Sequence, residues 1–366
     1  MRTLVFLLSF SLGLASVSAS EVISNPQKGD IQLKKINVIH FAPDGVLLIA
    51  DGSAGKIYAL ETGDTESDDG AFPAIAGFQK ELAGRMGAGE ADLEIIDFEV
   101  NPISKNLYVA CYNKKTRSPA LIRINRDGTM GPVNLKGVSH VSVPLPKGDS
   151  APITLITDMV WIDGRLIAAA RCNEEFASKI FSADGPLRHD VMGQVYSAET
   201  FHVAHGRWET KAPMSVMIPH EENGKHYIVG AFSCTPVVKY PIDAIKPGAV
   251  IKGISMIELG SGNRPLDMFG YQKDGKGNVL TNAYRFHHEK TPYGPSPHLA
   301  FRFDDELLAA GNVNEDATRR LKGKTPASDK IEIAETYHGV VKMSRFDSDS
   351  AIALNEAGDL VTIALP

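Results

Sequence analysis

The sequence predicts an all-β protein that folds as a six-bladed β-propeller. Three observations support this: strand-like segments run along the 366 residues, helical periodicity is nearly absent, and one β-unit recurs six times. Each unit has an apolar strand, a turn, a second strand rich in small and β-branched residues, a polar loop and a third strand. Such units bury both faces by stacking radially. A β-sandwich or a pair of β-domains, the alternatives, would not produce six similar units.

The six units follow one another along the whole chain. They begin at Ile36, Ile95, Thr157, Ser215, Pro265 and Gly339, and their turns lie near Asp44, Ile103, Asp163, Glu222, Asp274 and Ser348. The turns are roughly sixty residues apart, which leaves room for a fourth strand in each unit. The alternating segments 140–145 and 195–209 are suited to such outer strands. Residues 71–86 show helical periodicity and are expected to form a helical insertion.

Residues 1–19 have the features of a signal peptide. Arg2 supplies a positive charge, an apolar run follows, and the small residues "VSA" at 17–19 predict cleavage after Ala19. The apolar run is too short to be assigned as a membrane span, and no transmembrane segment is expected after cleavage. We therefore expect residues 20–366 to form a single propeller domain, secreted or periplasmic, and monomeric.

Charge and motifs exclude several classes of function. The net charge of −6 comes from interspersed acids and bases, so no basic stripe is available for nucleic acid. No Cys-x-x-Cys-His haem motif, Gly-x-Ser-x-Gly elbow or His-Glu-x-x-His motif occurs, and neither haem nor a nucleotide cofactor is expected. The three cysteines, Cys111, Cys172 and Cys234, end the second strand of three consecutive units. They can form at most one disulfide, and a soft-metal site or ordinary core packing is the alternative role.

Polar residues recur near the start of the predicted inner strands, which line the channel of a propeller. They are Asn37, Asp97, Asp158, Ser215, Asp267 and His338. Carboxylates converging on a narrow channel repel each other unless a cation binds, and oxygen ligands favour calcium or another hard divalent cation. The predicted metal ligands are Asn37, Asp97, Asp158 and Asp267. The alternative is that each polar group binds a backbone N–H or channel water.

Further polar residues lie in loops that are expected to open on the same face. The loops between second and third strands and the connections between units supply the predicted ligand-binding residues Arg171, Asn173, Glu174, Glu175, Asn263, Arg264 and His287. Acids, bases and amides gathered in one concave place are typical of a ligand pocket. If the pocket is catalytic, Asp158, Asp267 and His205 are the candidate proton-transfer residues. For His205 the alternative is a plain β-turn before a strand with an inward Trp208.

The segment Phe41–Leu60 resembles one repeat of a known propeller superfamily. Its pattern, F-x-P-D-G-x-L-x-x-A-D-x-x-x-G-x-I-Y-A-L, is similar to the NHL repeats, the strictosidine synthase-like proteins and the gluconolactonase (regucalcin-like) lactonases. The resemblance covers one unit well and the others in outline. It implies a six-bladed propeller, a divalent cation on the channel axis held by carboxylates and amides, and hydrolysis of lactones or esters in some members.

Two functions follow as hypotheses. In the first, the exported propeller binds a small molecule at its channel mouth, with or without a divalent cation, and a metal-assisted hydrolase is the catalytic version. In the second, the propeller is a non-catalytic scaffold for an exported protein partner, because propellers offer wide loop faces and fold alone does not imply activity.

Overall fold

A computed structural model describes residues 21–67, 70–146, 153–203, 205–246, 249–260, 262–290, 295–309 and 331–366. These residues form six antiparallel sheets around a central channel, which confirms the predicted six-bladed β-propeller. No helix in these ranges is long and apolar enough to cross a membrane. The predicted signal peptide lies outside the described residues.

The first third of the chain forms two blades and a helical insertion. The strands are β1 (Gln27–Gly29), β2 (Val38–Ala42), β3 (Val46–Asp51), β4 (Lys56–Glu61), β5 (Leu93–Val100), β6 (Leu107–Asn113), β7 (Ser118–Ile124), β8 (Met130–Pro132) and β9 (Val138–Pro144). Helix α1 (Phe78–Arg85) confirms the predicted insertion, and 3₁₀ turns occupy Pro43–Gly45 and Glu90–Asp92. The sheet orders are β1-β9-β4-β3-β2 and β5-β6-β7-β8.

The middle of the chain forms the third and fourth blades. Their strands are β10 (Leu155–Ile162), β11 (Arg165–Arg171), β12 (Ser178–Asp184), β13 (Gln194–His202), β14 (Arg207–Glu209), β15 (Met214–Glu222), β16 (Lys225–Phe232), β17 (Pro236–Pro241), β18 (Val250–Lys252) and β19 (Ile254–Glu258), with a 3₁₀ turn at Ile242–Ala244. The third sheet runs β10-β11-β12-β13-β14 and the fourth β15-β16-β17-β19. Strand β18 leaves the fourth blade and pairs in parallel with β13, which joins the two blades.

The last two blades complete the ring. Their elements are β20 (Asn263–Lys273), β21 (Lys276–Arg285), β22 (His298–Asp304), α2 (Glu306–Ala309), β23 (Glu332–Ile333), β24 (Val340–Arg345), β25 (Ser350–Asn355) and β26 (Leu360–Ala364), with 3₁₀ turns at His288–Lys290 and Glu335–Tyr337. The fifth sheet runs β20-β21-β22-β23 and the sixth β24-β25-β26.

Two-residue turns explain why three of the inner hairpins form where the sequence predicts them. Asp163-Gly164, Asn223-Gly224 and Asp274-Gly275 all have positive φ at both positions. This conformation matches the twist of an antiparallel hairpin, and Asn, Asp and Gly adopt it at least cost. These dipeptides therefore set the register of strands β10–β11, β15–β16 and β20–β21.

The order of the blades around the ring differs from their order in the chain. Strand β2 of the first blade lies between β5 of the second and β10 of the third, while β5 also contacts β24 of the sixth. In the described part of the chain, one cluster of buried apolar side chains fills each boundary of the ring: first–third, third–fourth, fourth–fifth, fifth–sixth, sixth–second and second–first. In the chain, the second unit (β5–β8) thus lies between β4 and β9, two neighbouring strands of the first blade. Cys111, Cys172 and Cys234 lie in three consecutive units of the chain, but the first blade separates the blade of Cys111 from that of Cys172 in the ring.

The helical insertion closes the ring between the second and sixth blades. Residue Ile75 forms an isolated bridge to Leu360 of β26, and the N–H groups of Gln79 and Gly77 donate to Gly358 O and the Asp359 carboxylate. Helix α1 buries Phe78 completely in the cluster that these two blades share. The three-stranded sixth blade is therefore covered by chain that precedes the second blade.

Candidate ligand site in the central channel

The six inner strands line a channel with a volume of about 1300 Å³. The charged residues near its middle are Asp97, Glu99, Asp158, Asp267, Lys342 and His40. This ring of charges is the candidate site.

β-bulges aim the side chains of this ring into the channel. The pairing register shifts in the inner strand of every blade except the first, and the residues that follow the five bulges are Asp97, Asp158, Val216, Asp267 and Lys342. A bulge bends its strand and redirects the next side chain, so the same position in each blade faces the axis. The equivalent positions in the fourth and sixth blades are therefore Val216 and Lys342, where the sequence suggested Ser215 and His338.

Each channel aspartate holds its own blade to the next one. The carboxylates of Asp97, Asp158 and Asp267 accept N–H bonds from Ile39, Met217 and Met343 of the neighbouring inner strand, at 2.9, 2.6 and 2.9 Å. A carboxylate that accepts a backbone N–H makes a charge-assisted hydrogen bond, which is stronger than a neutral one. This arrangement corresponds to the alternative in which the polar groups bind backbone N–H groups, and it accounts for one oxygen of each carboxylate.

Lys342 lies between two of the three aspartates. Its Nζ is 3.2 Å from Asp267 Oδ1 and 3.8 Å from Asp97 Oδ1, so the oxygens not used by the backbone share one ammonium group. Burial opposes its charge, but the two carboxylates outweigh burial and raise the pKa of Lys342. The chain thus provides its own cation for Asp97 and Asp267.

A histidine and a glutamate form a second pair in the channel. His40 Nδ1 lies 3.1 Å from Glu99 Oε1, and Glu99 Oε2 accepts the N–H of Phe41. The N–H of Trp161 donates to His40 Nε2 at 3.3 Å, which places the ring proton on the nitrogen that faces Glu99. The pair links the second, first and third blades, and it satisfies the Glu99 carboxylate.

Asp158 is the carboxylate of this ring of charges that belongs to neither the Lys342 group nor the His40–Glu99 pair. Among the described residues, no lysine, arginine or histidine nitrogen lies within 4.0 Å of its oxygens; Oδ1 accepts the N–H of Met159 and Oδ2 that of Met217. In ring order Asp158 is opposite Lys342, three blades away in either direction. Burial raises the pKa values of Asp158 and Asp97 to about 7, against the effect of their N–H partners. Asp158 therefore titrates near neutral pH, without a paired cation.

Replacing Asp158 with asparagine should flatten the pH dependence of stability. The folded state raises the Asp158 pKa from 3.8 to about 7, so its contribution to stability is complete below about pH 4 and is lost as the pH rises through 7. The variant lacks this loss, so its free energy of unfolding should rise relative to that of the wild type by up to about 1.4 kcal/mol per pH unit between about pH 4 and 7. Urea unfolding at pH 5 and pH 8 measures the difference.

The matched control for this experiment is Asp44→Asn. Asp44 is exposed in a turn with φ 60°, a conformation that asparagine also adopts, and it lies outside the channel. Asp97, His40 and Lys342 interact electrostatically with Asp158, so the difference between the two proteins reports Asp158 together with its effect on these three groups. A stability difference between Asp158→Asn and wild type that is equal at the two pH values would contradict the assigned titration.

Six of the predicted site residues line the channel. They are Asn37, Asp97, Asp158, Arg171, Arg264 and Asp267. Arg171 and Arg264 are exposed near the end where the inner strands begin. The Asn37 side chain accepts the N–H of Gly52 at 2.9 Å. In the described residues, no three His, Cys, Asp or Glu ligand atoms of the channel lie within 4.8 Å of one another. The predicted divalent site stays a prediction.

The remaining predicted residues lie elsewhere. Asn173, Glu174 and Glu175 are exposed in the β11–β12 loop outside the channel lining, and Glu174 pairs with Lys179 at 2.9 Å. The Asn263 side chain is buried and donates to Leu259 O, while His287 is exposed beside Gly262. The His205 side chain lies in the β13–β14 turn at the outer part of the third blade. The structure therefore does not bring His205 together with Asp158 and Asp267.

Sequence reasoning missed Lys342, His40 and Glu99. A signal for Lys342 exists: the residue after each bulge precedes a methionine in four blades, as Asp158-Met159, Val216-Met217, Asp267-Met268 and Lys342-Met343. Aligning the units on this methionine would have placed a lysine among the aspartates. Glu99 lies two residues beyond Asp97, on the same strand face, and His40 lies three residues beyond Asn37.

No protein-family model and no curated protein sequence matches the chain. Solved structures match at the level of the fold. Semaphorin 1b of Drosophila, extracellular domains 1–2, is 9% identical with a TM-score of 0.40, and the match covers 93% of this chain and 88% of that one. An α-L-arabinanase mutant of Cellvibrio cellulosa is 11% identical with a TM-score of 0.33, covering 76% and 94%. Such distant similarity carries no argument about ligand or activity, and the resemblance to NHL-type propellers stays a prediction.

Proposed function

We propose that the protein binds a small ligand in its central channel and holds a positively charged group of that ligand at Asp158. One observation carries this proposal: within the ring of charges near the middle of the channel, Asp158 is the carboxylate with no ion-pair partner within 4.0 Å among the described residues, while Asp97 and Asp267 share Lys342 and Glu99 pairs with His40. Burying an unpaired carboxylate is costly, and a bound cation offsets that cost. The channel is large enough for a small organic molecule.

The arginines at the channel end support a ligand with a second, acidic group. Arg171 terminates β11 next to the strand that carries Asp158, and Arg264 lies near the start of β20. Both arginines are exposed residues of the channel lining, and guanidinium groups bind carboxylates and phosphates in a bidentate manner. A zwitterionic ligand would place its cationic group at Asp158 and its acidic group toward these arginines. An acidic ligand that brings a divalent cation, such as calcium, would satisfy the same groups.

Calorimetric titration of purified protein tests this function. The panel should pair small zwitterions and amines with neutral and anionic analogues of equal size, and it should include calcium alone and acidic ligands with and without EDTA. We expect Asp158→Asn to weaken binding by about tenfold or more, because a charge-assisted contact is lost. Asp44→Asn should bind as the wild type does. Equal affinity in Asp158→Asn and wild type would refute the proposal.

A catalytic version of this function is favoured by the pKa of Asp158. A carboxyl group that titrates at about 7 inside a cavity is suited to accept a proton from water at neutral pH. In this version Asp158 is the general base of an ester or lactone hydrolysis. A hydrolysis screen at pH 6 to 8 with wild type and Asp158→Asn tests it, and equal rates in the two proteins would exclude this role.

Export is part of the proposal and needs a separate test. The mature protein is expected to begin at Ser20, and N-terminal mass analysis of the secreted or periplasmic fraction measures this directly. A chain that retains residues 1–19 in the cell interior would contradict export.

A further inference from the structure

Four side chains with metal-binding atoms meet outside the channel, where the third and fourth blades adjoin. They are His202, His205, Glu209 and Cys234, and one nitrogen, oxygen or sulfur atom from each lies within 4.8 Å of the others. Among the described residues, no other group of three or more such side chains is this close. None of the four lines the central channel. We call this group the hairpin cluster.

Two elements build the hairpin cluster. The β13–β14 hairpin supplies three members, because His202 ends β13, His205 lies in the turn and Glu209 ends β14. Pairing of His202 with Arg207 and of Thr200 with Glu209 fixes this hairpin, and the imidazole centroids of His202 and His205 are 3.9 Å apart. The fourth member, Cys234, comes from the β16–β17 turn of the next blade. The cluster therefore joins two blades.

The turn that carries Cys234 has an unusual backbone. Thr235 adopts φ 92°, which is costly for a β-branched residue. Its N–H donates to Phe232 O and its carbonyl accepts the N–H of Leu259. Strain of this kind persists where the surroundings fix it, often at ligand sites. Here it holds Cys234 beside the hairpin.

Hydrogen-bond partners outside the hairpin cluster orient Glu209 and His202, as the partners of metal ligands do in known metal sites. Glu209 Oε1 accepts the N–H groups of Lys211 and Ala212, which leaves Oε2, 3.4 Å from His202 Nδ1, toward the cluster. On the other side of His202, Nε2 lies 3.7 Å from Glu258 Oε1. Glu258 Oε2 in turn accepts the Thr235 hydroxyl at 2.6 Å. A carboxylate behind a ligating imidazole fixes its tautomer and raises its basicity.

We propose that the hairpin cluster binds a zinc-class transition-metal ion. Its donors would be His202 Nδ1, one nitrogen of His205, one oxygen of Glu209 and the Cys234 thiolate. Two imidazoles, one carboxylate and one thiolate form a four-ligand set that suits tetrahedral zinc and disfavours calcium or magnesium. The Cys234 thiol loses its proton on binding. The site is independent of the ligand proposed for the channel, and four protein donors make it a structural link between blades.

Cobalt(II) titration of the metal-free, reduced full-length protein is the first test. A thiolate ligand gives cobalt(II) a charge-transfer band in the near ultraviolet, and tetrahedral geometry gives intense visible bands, which zinc should then displace. We expect one cobalt ion per chain and an increase in melting temperature with zinc, because the ion binds the folded state. Absence of both the charge-transfer band and the zinc-dependent melting shift would overturn the proposal.

Variants assign the band to these residues. Cys234→Ser should abolish the charge-transfer band. Cys172→Ser is the matched control, because Cys172 also follows the end of a β-strand and lies near a glutamate, Glu174, and this variant should retain the band. His205→Ala removes an exposed turn residue that is a proposed ligand. It should weaken zinc binding by more than about 100-fold, the upper limit for replacing a residue that only hydrogen-bonds to a metal ligand. Glu258→Gln should weaken it by about 10- to 100-fold. Unchanged zinc affinity in folded His205→Ala, or an unchanged band in Cys234→Ser, would refute the site.

Discussion

Replacing Lys342 with methionine is expected to destabilise the folded protein by about 3–5 kcal/mol, the usual cost of removing one partner from a buried ion pair. Methionine keeps an unbranched side chain that is one atom shorter, and it removes the charge that Asp97 and Asp267 share. Protonation of the aspartates can offset their repulsion, so the loss should be smaller at pH 5 than at pH 8. Chemical unfolding at both pH values measures the change in the free energy of unfolding.

The control for this prediction is Lys276→Met, at an exposed position at the start of β21. Surface substitutions of this kind usually change stability by less than about 0.5 kcal/mol. If Lys342→Met and Lys276→Met have equal stability at pH 8, Lys342 does not neutralise the channel aspartates. If calcium rescues Lys342→Met selectively, the same oxygens can hold a metal once the ammonium group is gone.

The second large effect is expected from Phe78→Ala. Phe78 is fully buried in the cluster that includes Leu82, Phe98, Phe346 and Leu360. Truncating a buried phenylalanine removes its burial energy and leaves a cavity, at a cost of about 3–5 kcal/mol. Because this cluster closes the ring, the melting temperature and the protection of β26 amides from hydrogen exchange should both fall.

Phe286→Ala serves as the matched control, because that ring is 57% exposed. Its removal should change the free energy of unfolding by less than about 0.5 kcal/mol. A Phe78→Ala protein as stable as Phe286→Ala would show that α1 is not needed to close the ring. Loss of stability without loss of protection in β26 would place the damage elsewhere.

The sequence predicted the number of blades because local signals specify each hairpin. Apolar alternation and the turns at Asp163-Gly164 and Asp274-Gly275 act within a few residues, and the structure confirms them. The order of the blades could not be read in the same way. It depends on β9 pairing with β4, a long-range contact that leaves no local pattern in either strand.

The candidate site was predictable in part for the same reason. Asp97, Asp158 and Asp267 recur at one position of a repeat, so a repeat alignment finds them, and all three line the channel. Lys342 breaks the chemical pattern at that position, and only its bulge shows the equivalence. The hairpin cluster joins residues of two blades through a turn, so spacing alone could not bring Cys234 to His202 and Glu209.

The displaced second blade constrains how the chain can assemble during synthesis. Strands β5–β8 leave the ribosome early, but one of their two neighbours, the sixth blade, is made last. Until then the face that carries Phe98, Val109 and Ile124 has no partner blade and exposes apolar surface. Chains that stop before residue 340 would keep this surface open, and such species aggregate readily. The apolar face of the second blade is therefore covered against self-association only when the strands of the sixth blade have packed on it.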